Sequence, residues 1–151
     1  MQKILVSACL LGEKVRYDGE AQQQNHLVLK HWQQQGRIIS TCPAVTGGLS
    51  IPRPPAEIQQ DSRIITQQGV DVSQQFLQGA NLALTLCKKY QIYYALLKES
   101  SPSCGSRTIY DGSFSNKKIG GMGVTAQLLR KNHIQVFSEH QIDELNDQLN
   151  S

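Results

Sequence analysis

Three of the four cysteines lie in loops of small residues, where a thiol is available to bind a ligand. Cys9 follows the apolar run "ILVSA", Cys42 follows "RIIST", and Cys104 follows "YYALLK" after a short loop. Glycines near these thiols let backbone N–H groups approach a bulky anionic ligand. Three thiolates can hold a zinc ion that keeps one water, or an iron–sulfur cluster in which one iron lacks a protein ligand. Their spacing leaves both alternatives open.

The remaining candidates for metal ligands are expected to have ordinary roles. Cys87 lies on the apolar face of a predicted helix, where a cysteine behaves as a small buried hydrophobe. His26 and His31 are five residues apart, whereas a metal-binding pair on one helix face is four apart. The candidate site therefore consists of the three loop thiols.

The elements that position these thiols alternate between apolar strands and amphipathic helices. We predict strands at 3–8, 37–41, 63–66, 92–98 and 134–137, and helices at 26–35, 73–90, 123–132 and 139–149. The Gly- and Pro-rich stretch 47–58 is predicted to be a loop, 108–118 is rich in turn residues, and the glutamine runs 22–24 and 33–35 are expected at the surface.

This alternation predicts an α/β fold, a Rossmann-like three-layer sandwich with a mainly parallel sheet, in which residues 1–151 form one domain. The carboxyl ends of parallel strands lie along one edge of a sheet, and ligands bind there. Since each of the three thiols follows a strand, we expect them to meet at that edge.

Composition excludes several classes of function. The formal net charge of the 151 residues is +3, and no run of Lys and Arg forms a basic stripe, so a nucleic-acid partner is not expected. No apolar run approaches the roughly 20 residues of a membrane span. Only eight residues precede Cys9, too few for a signal peptide, so we expect a cytoplasmic protein with reduced thiols.

Five motifs are more specific than the spacing of the cysteines: "SACLLGEKVRYDG", "CPAVTGGLSIPRPPAEI", "LLKESSPSCGS", "IYDGSF" and "GMGVTAQLLR". In this order, from about Ile4 to Glu139, they resemble a bacterial family long labelled only as a domain of unknown function, which includes the thiouracil desulfidases. The resemblance implies a [4Fe–4S] cluster that is held by Cys9, Cys42 and Cys104 and has one open iron. It also implies a small thiolated pyrimidine of the 2-thiouracil type as substrate, with uracil and hydrogen sulfide as products and no net redox change.

One position departs from the family pattern. The family usually has Cys-Pro-Glu at the second cysteine, and the glutamate suits a proton carrier; here Ala44 stands in its place. We therefore expect impaired turnover, since losing an acid/base group typically costs ~10²–10⁴ in rate. Asp18 and Glu99 are candidates to replace the carboxylate only because they lie near the motifs.

The resemblance and the residue types suggest further site residues. Ser101 matches a family serine and is a candidate catalytic residue that positions the water or the base. Tyr17 can stack on a flat base, and Asp18 can accept a hydrogen bond from a ring N–H. Ser103 can orient the neighbouring thiolate or contact the substrate. Arg53 and Glu57 are not expected to be catalytic and can pair with each other to hold their loop.

Two alternatives stay open. The substrate can be a thiolated nucleoside or thiolated RNA, although the weak net charge argues against RNA. The chain can also be a non-catalytic zinc- or thiol-based binding protein, which Ala44 supports. The sequence does not specify an oligomeric state.

Overall fold

The part of the chain that the structure describes contains eight strands and five α-helices. The computed structural model describes residues 1–21, 24 and 26–151. In chain order the elements are β1 Ile4–Ser7, α1 Leu27–Gln34, β2 Ile38–Thr41, α2 Pro43–Thr46, β3 Ala56–Ile58, β4 Ile64–Thr66, α3 Ser73–Tyr90, β5 Tyr94–Leu97, β6 Thr108–Tyr110, β7 Lys118–Gly120, α4 Val124–Lys131, β8 Gln135–Ser138 and α5 Ile142–Leu149. Gln22 and Gln23, which we expected at the surface, lie outside the described residues.

Four of the strands form a parallel sheet in the order β2-β1-β5-β8. β1 is apolar and buried along its whole length, as a strand covered on both faces must be. The chain passes from β1 to β2 on one side and later returns to β5 on the other side of β1. The strand order therefore reverses at β1, and such a reversal opens a crevice at the carboxyl ends of the strands.

Helices cover both faces of the sheet and complete the predicted three layers. On one face, Trp32 and Leu29 of α1 and Leu145 of α5 pack against Ile4 and Val6 of the sheet. On the other face, the buried residues of α3 and α4 pack against the sheet; they include Ala83, Cys87, Ala126 and Leu129. The α/β prediction is confirmed, and Cys87 is a buried core residue as expected.

The connecting segments contain more regular structure than we predicted. The segment 47–58 was expected to be a loop, but β3 ends it and pairs antiparallel with β4. The turn-rich segment 108–118 begins with β6, which pairs antiparallel with β7. Proline and glycine discourage strands locally, but three-residue strands form where a neighbouring segment supplies the hydrogen bonds.

A close contact between backbones fixes α2 against α3. A Cβ atom added to Gly47 would lie 1.9 Å from the carbonyl oxygen of Gln75, and one added to Gly79 would lie 1.9 Å from that of Pro43. Only glycine fits at either position, because any side chain would collide with backbone atoms. This contact holds the segment that begins with Cys42 against the longest helix.

Among the described residues, the structure has no helix with the length and hydropathy needed to span a membrane.

Candidate metal centre

The ends of three adjacent strands bring the three loop thiols to one cavity. Cys9 lies in a short 3₁₀ helix, Ala8–Leu11, directly after β1; Cys42 lies between β2 and α2; and Cys104 lies in the loop after β5. All three line one cavity of about 450 Å³. The cavity opens at the carboxyl edge of the sheet, where sequence reasoning expected the thiols to meet.

Hydroxyl groups surround the most deeply buried of these thiols. Ser7 Oγ lies 3.7 Å from Cys104 Sγ, and the backbone N–H of Cys104 donates to Ser101 Oγ at 2.7 Å. Burial raises the pKa of the Cys104 thiol, and hydrogen bonds from Ser103, Ser7 and Ser101 counteract part of that rise. These donors would stabilise a thiolate at this position.

The three thiols affect one another electrostatically. The pKa of Cys9 is raised to about 12, chiefly by burial and also by the nearby Cys104 and Cys42, while Lys98 acts in the opposite direction. Three thiolates this close repel one another, so they need a positive group between them to lose their protons together. A metal-containing group fits this donor set, since metal binding deprotonates its thiol ligands.

An unpaired hydroxyl supplies a second indication that the cavity takes a ligand. Among the described residues, Thr41 Oγ1 is the buried side-chain polar atom that lacks a hydrogen-bond partner. Thr41 lines the cavity next to Cys42. A buried hydroxyl without a partner costs free energy of folding, and a bound group with acceptor atoms, such as thiolate or sulfide sulfurs, would supply that partner.

The arrangement does not match a site for a single metal ion. Within the part of the chain that the structure describes, no three His, Cys, Asp or Glu side chains are placed to hold one ion. A tetrahedral zinc would hold its thiolate sulfurs about 3.8 Å apart, given Zn–S bonds of about 2.3 Å. A cluster with its own iron and sulfide atoms spans a wider gap between its cysteines.

The two predicted serines lie in the cavity wall. Ser101 accepts the backbone N–H of Cys104, so its hydroxyl oxygen orients the thiol loop, and Ser101 itself lines the cavity. Ser103 is buried, and its hydroxyl lies 2.7 Å from that of Thr125 in α4. This contact ties the Cys104 loop to a helix. The catalytic role of Ser101 and the substrate contact of Ser103 remain predictions.

Tyr17 and Asp18 are adjacent in sequence but differ in position. Tyr17 lines the cavity and is 42% exposed, as expected for a residue at its mouth. Asp18 does not line the cavity; its carboxylate accepts the Glu20 N–H at 3.0 Å and lies 3.6 Å from Arg16. Stacking by Tyr17 remains a prediction that the geometry supports, whereas Asp18 has no contact that supports a role in substrate binding.

Arg53 and Glu57 hold loops, as expected, but through different partners. The Arg53 guanidinium donates to the carbonyl oxygens of Ser50 and Val15, both at 3.2 Å. Burial lowers the pKa of Arg53, and the nearby Cys42 partly offsets this effect. Glu57 is buried and accepts the N–H groups of Gly112 at 2.9 Å and Phe114 at 3.2 Å. Both side chains therefore build the cavity wall.

Glu99 organises the loop that carries Cys104. Its Oε1 accepts backbone N–H groups from Ser100, Ser106, Arg107 and Thr108, and its Oε2 accepts the Ser106 hydroxyl. Burial raises the pKa of this carboxyl, but hydrogen bonds from Ser106, Arg107 and Ser100 outweigh that effect and lower it overall. A carboxylate with five donors is held in its charged form, so Glu99 does not suit a proton carrier.

Lys98 is a cavity residue that sequence reasoning did not single out. Its side chain lines the cavity, and its Nζ lies 3.0 Å from Glu139 Oε2. The available signal was its place directly after the apolar strand β5, at the edge where ligands bind. Glu139 lies too far along the chain, directly after β8, for its proximity to be predicted.

Ala44 lies in the cavity wall at the position of the family glutamate. It is buried in α2 and packs with Val72 and Phe76, which also line the cavity. The methyl group continues an apolar surface there. A longer side chain at this position would enter the cavity between the thiols and this surface.

Comparisons with known proteins agree with the motifs. A family model described as 2-thiouracil desulfurase matches residues 4–141. The uncharacterized protein YbbK of Bacillus subtilis (strain 168) is 38% identical over 151 residues, covering 94% of this chain and 99% of YbbK. A solved structure of the [4Fe–4S]-dependent thiouracil desulfidase TudS (DUF523Vcz) is 49% identical, covers 99% of each chain and has a TM-score of 0.97. The resemblance seen in the sequence is confirmed: the chain belongs to the 2-thiouracil desulfurase family.

Proposed function

We propose that this protein is a [4Fe–4S]-dependent desulfidase that converts 2-thiouracil-type bases to uracil and hydrogen sulfide without net redox change. One observation carries the proposal: three thiols from the ends of three strands line one cavity beside an unpaired hydroxyl. The likeness to TudS, whose name states both the cluster and the activity, supports it.

In this proposal Cys9, Cys42 and Cys104 are the ligands of the cluster, and one iron has no protein ligand. When bound, the cluster supplies a Lewis-acidic iron for which the soft sulfur of a thiocarbonyl is a suitable partner. Thr41 donates its hydroxyl to the sulfur atoms of the site. Ser7 and the Cys104 loop hold the deepest ligand in place.

The walls of the cavity suit a flat heterocycle. Val72 and Phe76 offer an apolar surface beside the thiols, and Tyr17 offers an aromatic face at the mouth. Such surfaces bury a ring and keep bulk water away from it, while a few polar groups fix its orientation. In this proposal Ser101 positions the attacking water and Ser103 contacts the substrate, and both residues line the cavity.

In this proposal the proton transfers limit the rate of this protein. The water that attacks C2 must lose a proton and the departing sulfur must gain one. Ala44 cannot carry a proton, Glu99 is engaged by five donors, and Asp18 lies outside the cavity lining. We therefore expect slow turnover relative to relatives with glutamate at this position.

A free base is favoured over RNA as the substrate. The net charge of +3 is small, and RNA binding depends on many phosphate contacts. The cavity has a volume of about 450 Å³, which suits a small molecule. A reducing cytoplasm suits the three free thiols, which must stay unoxidised to bind iron.

The test is anaerobic iron and sulfide analysis combined with a 2-thiouracil turnover assay on the same sample. We expect four irons per chain and release of hydrogen sulfide, as the proposed [4Fe–4S] site requires. Each of the variants Cys9→Ser, Cys42→Ser and Cys104→Ser should lose iron binding, because we expect two remaining thiolate ligands to be too few to hold the cluster.

Cys87→Ser is the matched control, since Cys87 is buried in the core away from the cavity lining. This variant should retain its iron. Iron loss from the Cys87 variant, or retention of iron by any of the other three, would contradict the ligand set. A colourless, zinc-containing protein would favour the alternative of a non-catalytic metal-binding protein.

A further inference from the structure

The proposed reaction places negative charge on the departing sulfur atom, and a group of the protein is needed to stabilise that charge. The oxygen of water replaces sulfur at C2: the carbon–oxygen bond forms, the carbon–sulfur bond breaks, and the two protons of water end on the sulfur. The electrons of the broken bond leave with the sulfur, so charge builds up there before the protons arrive. Groups that are aimed at developing charge in a desolvated site accelerate such steps.

Four cationic residues line the cavity, and three of them are engaged in building its wall. Arg16 lies over the ring of Tyr17 and pairs with Asp18. Arg53 spans two loop carbonyls. Lys118 lies over the ring of Tyr110, with its Nζ 5.6 Å from the ring centroid. Arg53 also hydrogen-bonds to the Cys42 thiol, so its charge acts on one of the proposed cluster ligands.

Lys98 differs from these three residues in its position in the fold and in the contacts that hold its side chain. It follows β5 directly, between the segments that carry Cys9 and Cys104, and its backbone N–H donates to Ser7 Oγ, which contacts Cys104. Its ammonium uses one N–H on Glu99 O at 3.1 Å and a second on Glu139 Oε2 at 3.0 Å. An ammonium has three N–H donors, so these two contacts leave one N–H over, and Lys98 is among the residues that line the cavity.

Glu139 fixes the position of this ammonium. Its side chain is only 6% exposed, and its second oxygen accepts the Glu99 N–H at 2.8 Å. The carboxylate therefore joins the end of β8 to the end of β5, and the lysine cannot swing away without leaving a buried carboxylate unpaired. The charge of Lys98 acts at Cys9, where it lowers the thiol pKa against the effect of burial.

We propose that the Lys98 ammonium, held by Glu139, donates a hydrogen bond to the substrate sulfur as negative charge develops there and then holds the hydrosulfide anion until release. This role rests on the proposed function. It assigns Lys98 as a catalytic residue and Glu139 as its positioning residue. The cation itself transfers no proton: one proton of water leaves with the sulfur as hydrosulfide, the other passes to solvent, and the hydrosulfide takes up a proton after its release.

The experiment measures sulfide binding rather than turnover alone. Sodium sulfide is titrated anaerobically into the cluster-loaded protein, and the change in visible absorption gives a dissociation constant. Lys98→Gln should weaken sulfide binding about tenfold or more, as expected for loss of a charged donor. Lys98→Arg should stay within about threefold of the wild type, because it keeps the charge. Lys88→Gln, at an exposed position on α3, is the control of equal charge change and should bind sulfide as the wild type does.

The double variant Lys98→Gln/Glu139→Gln removes both charges and so avoids an unpaired buried carboxylate. It should bind iron as the wild type does and lose sulfide affinity as Lys98→Gln does. Wild-type sulfide affinity in this variant would overturn the proposal. So would iron loss from both Lys98 variants, since the lysine would then support the cluster instead of the departing sulfur. A wild-type protein that binds sulfide but releases none from 2-thiouracil would contradict the desulfidase function and the contact of Lys98 with a substrate, and would leave only its contact with sulfide.

Discussion

The side chains around the three thiols divide into those that shape the site and those that can do chemistry. Glu57, Glu99 and Arg53 use their charges on backbone groups of the surrounding loops. Their charged groups therefore replace the regular hydrogen bonds that these loops lack. Thr41 has a hydroxyl without a partner and Lys98 lines the same cavity, and they are the polar residues on which substrate and product binding depend in our proposals.

The position of Ala44 leads to a prediction about rate. Ala44→Glu should raise hydrogen sulfide release from 2-thiouracil by about tenfold or more, because it adds a carboxyl group that can carry protons. The side chain would lie beside Val72 and Phe76, and burial against these residues would raise its pKa toward neutrality, where a proton carrier works best. The measurement is sulfide release per cluster under anaerobic conditions.

Ala44→Gln is the matched control for this change. Glutamine has the same size and hydrogen-bonding reach but does not ionise, so it should not raise the rate. Both variants should contain as much iron as the wild type. An unchanged rate in the glutamate variant would mean that another group already moves the proton.

At the level of elements, the contact between α2 and α3 determines where Cys42 lies. The two helices approach until backbone meets backbone at Gly47 and Gly79, so the thiol between β2 and α2 is held by a rigid neighbour. Gly105 behaves similarly in the loop of Cys104, since a Cβ there would lie 2.4 Å from the carbonyl oxygen of Thr108. Glycine at positions 47 and 105 thus serves close packing of the chain on itself, whereas we had expected the glycines near the thiols to make room for a ligand.

Gly79→Ala should therefore disturb the metal centre although residue 79 does not line the cavity. The added methyl group would collide with the Pro43 carbonyl, push α2 away from α3 and displace Cys42. We expect a loss of about 1–3 kcal/mol or more in the free energy of unfolding, as for overpacked cores, together with a lower iron content. Urea unfolding and iron analysis measure the two effects.

Gly120→Ala is a suitable comparison, because no atom lies within 4 Å of the added Cβ. This variant should match the wild type in both measurements. Equal stability and iron content in the Gly79 variant would show that α2 shifts without moving Cys42, and the contact would then not determine the position of the thiol.

For the whole molecule, a bound cluster would connect segments that are far apart in the chain. Cys9, Cys42 and Cys104 follow three neighbouring strands of one sheet, and each lies in a different segment of the chain between regular elements. A group that binds the folded chain and not the unfolded chain stabilises the fold by mass action. The site and the overall stability are therefore coupled.

Removal of the cluster should lower the melting temperature by about 5 °C or more, since 1 kcal/mol corresponds to roughly 2–4 °C for a chain of this size. The measurement compares thermal unfolding of the loaded protein with that of protein stripped by oxygen and a chelator. Cys104→Ser, which we expect to lack the cluster, should show no shift after the same treatment. Identical melting temperatures of loaded and stripped wild-type protein would argue against three ligands from three segments.

The sequence by itself determined the α/β class, the long helix 73–90 and the order of the main strands, because hydrophobic periodicity is a local property of the chain. It also determined the family, through motifs that are long and unusual. It even placed the three thiols at one edge, because parallel strands with helical crossovers put their carboxyl ends together.

Only the tertiary structure decided which side chains near the thiols are engaged and which face the cavity. Glu99 was a candidate proton carrier by sequence, but five donors from its own loop surround it. The position of Lys98 directly after an apolar strand was a weak signal, and its role emerged only when Glu139, 41 positions later, was found beside it. Such roles depend on contacts between distant segments, and local sequence patterns carry no information about how those segments meet in three dimensions.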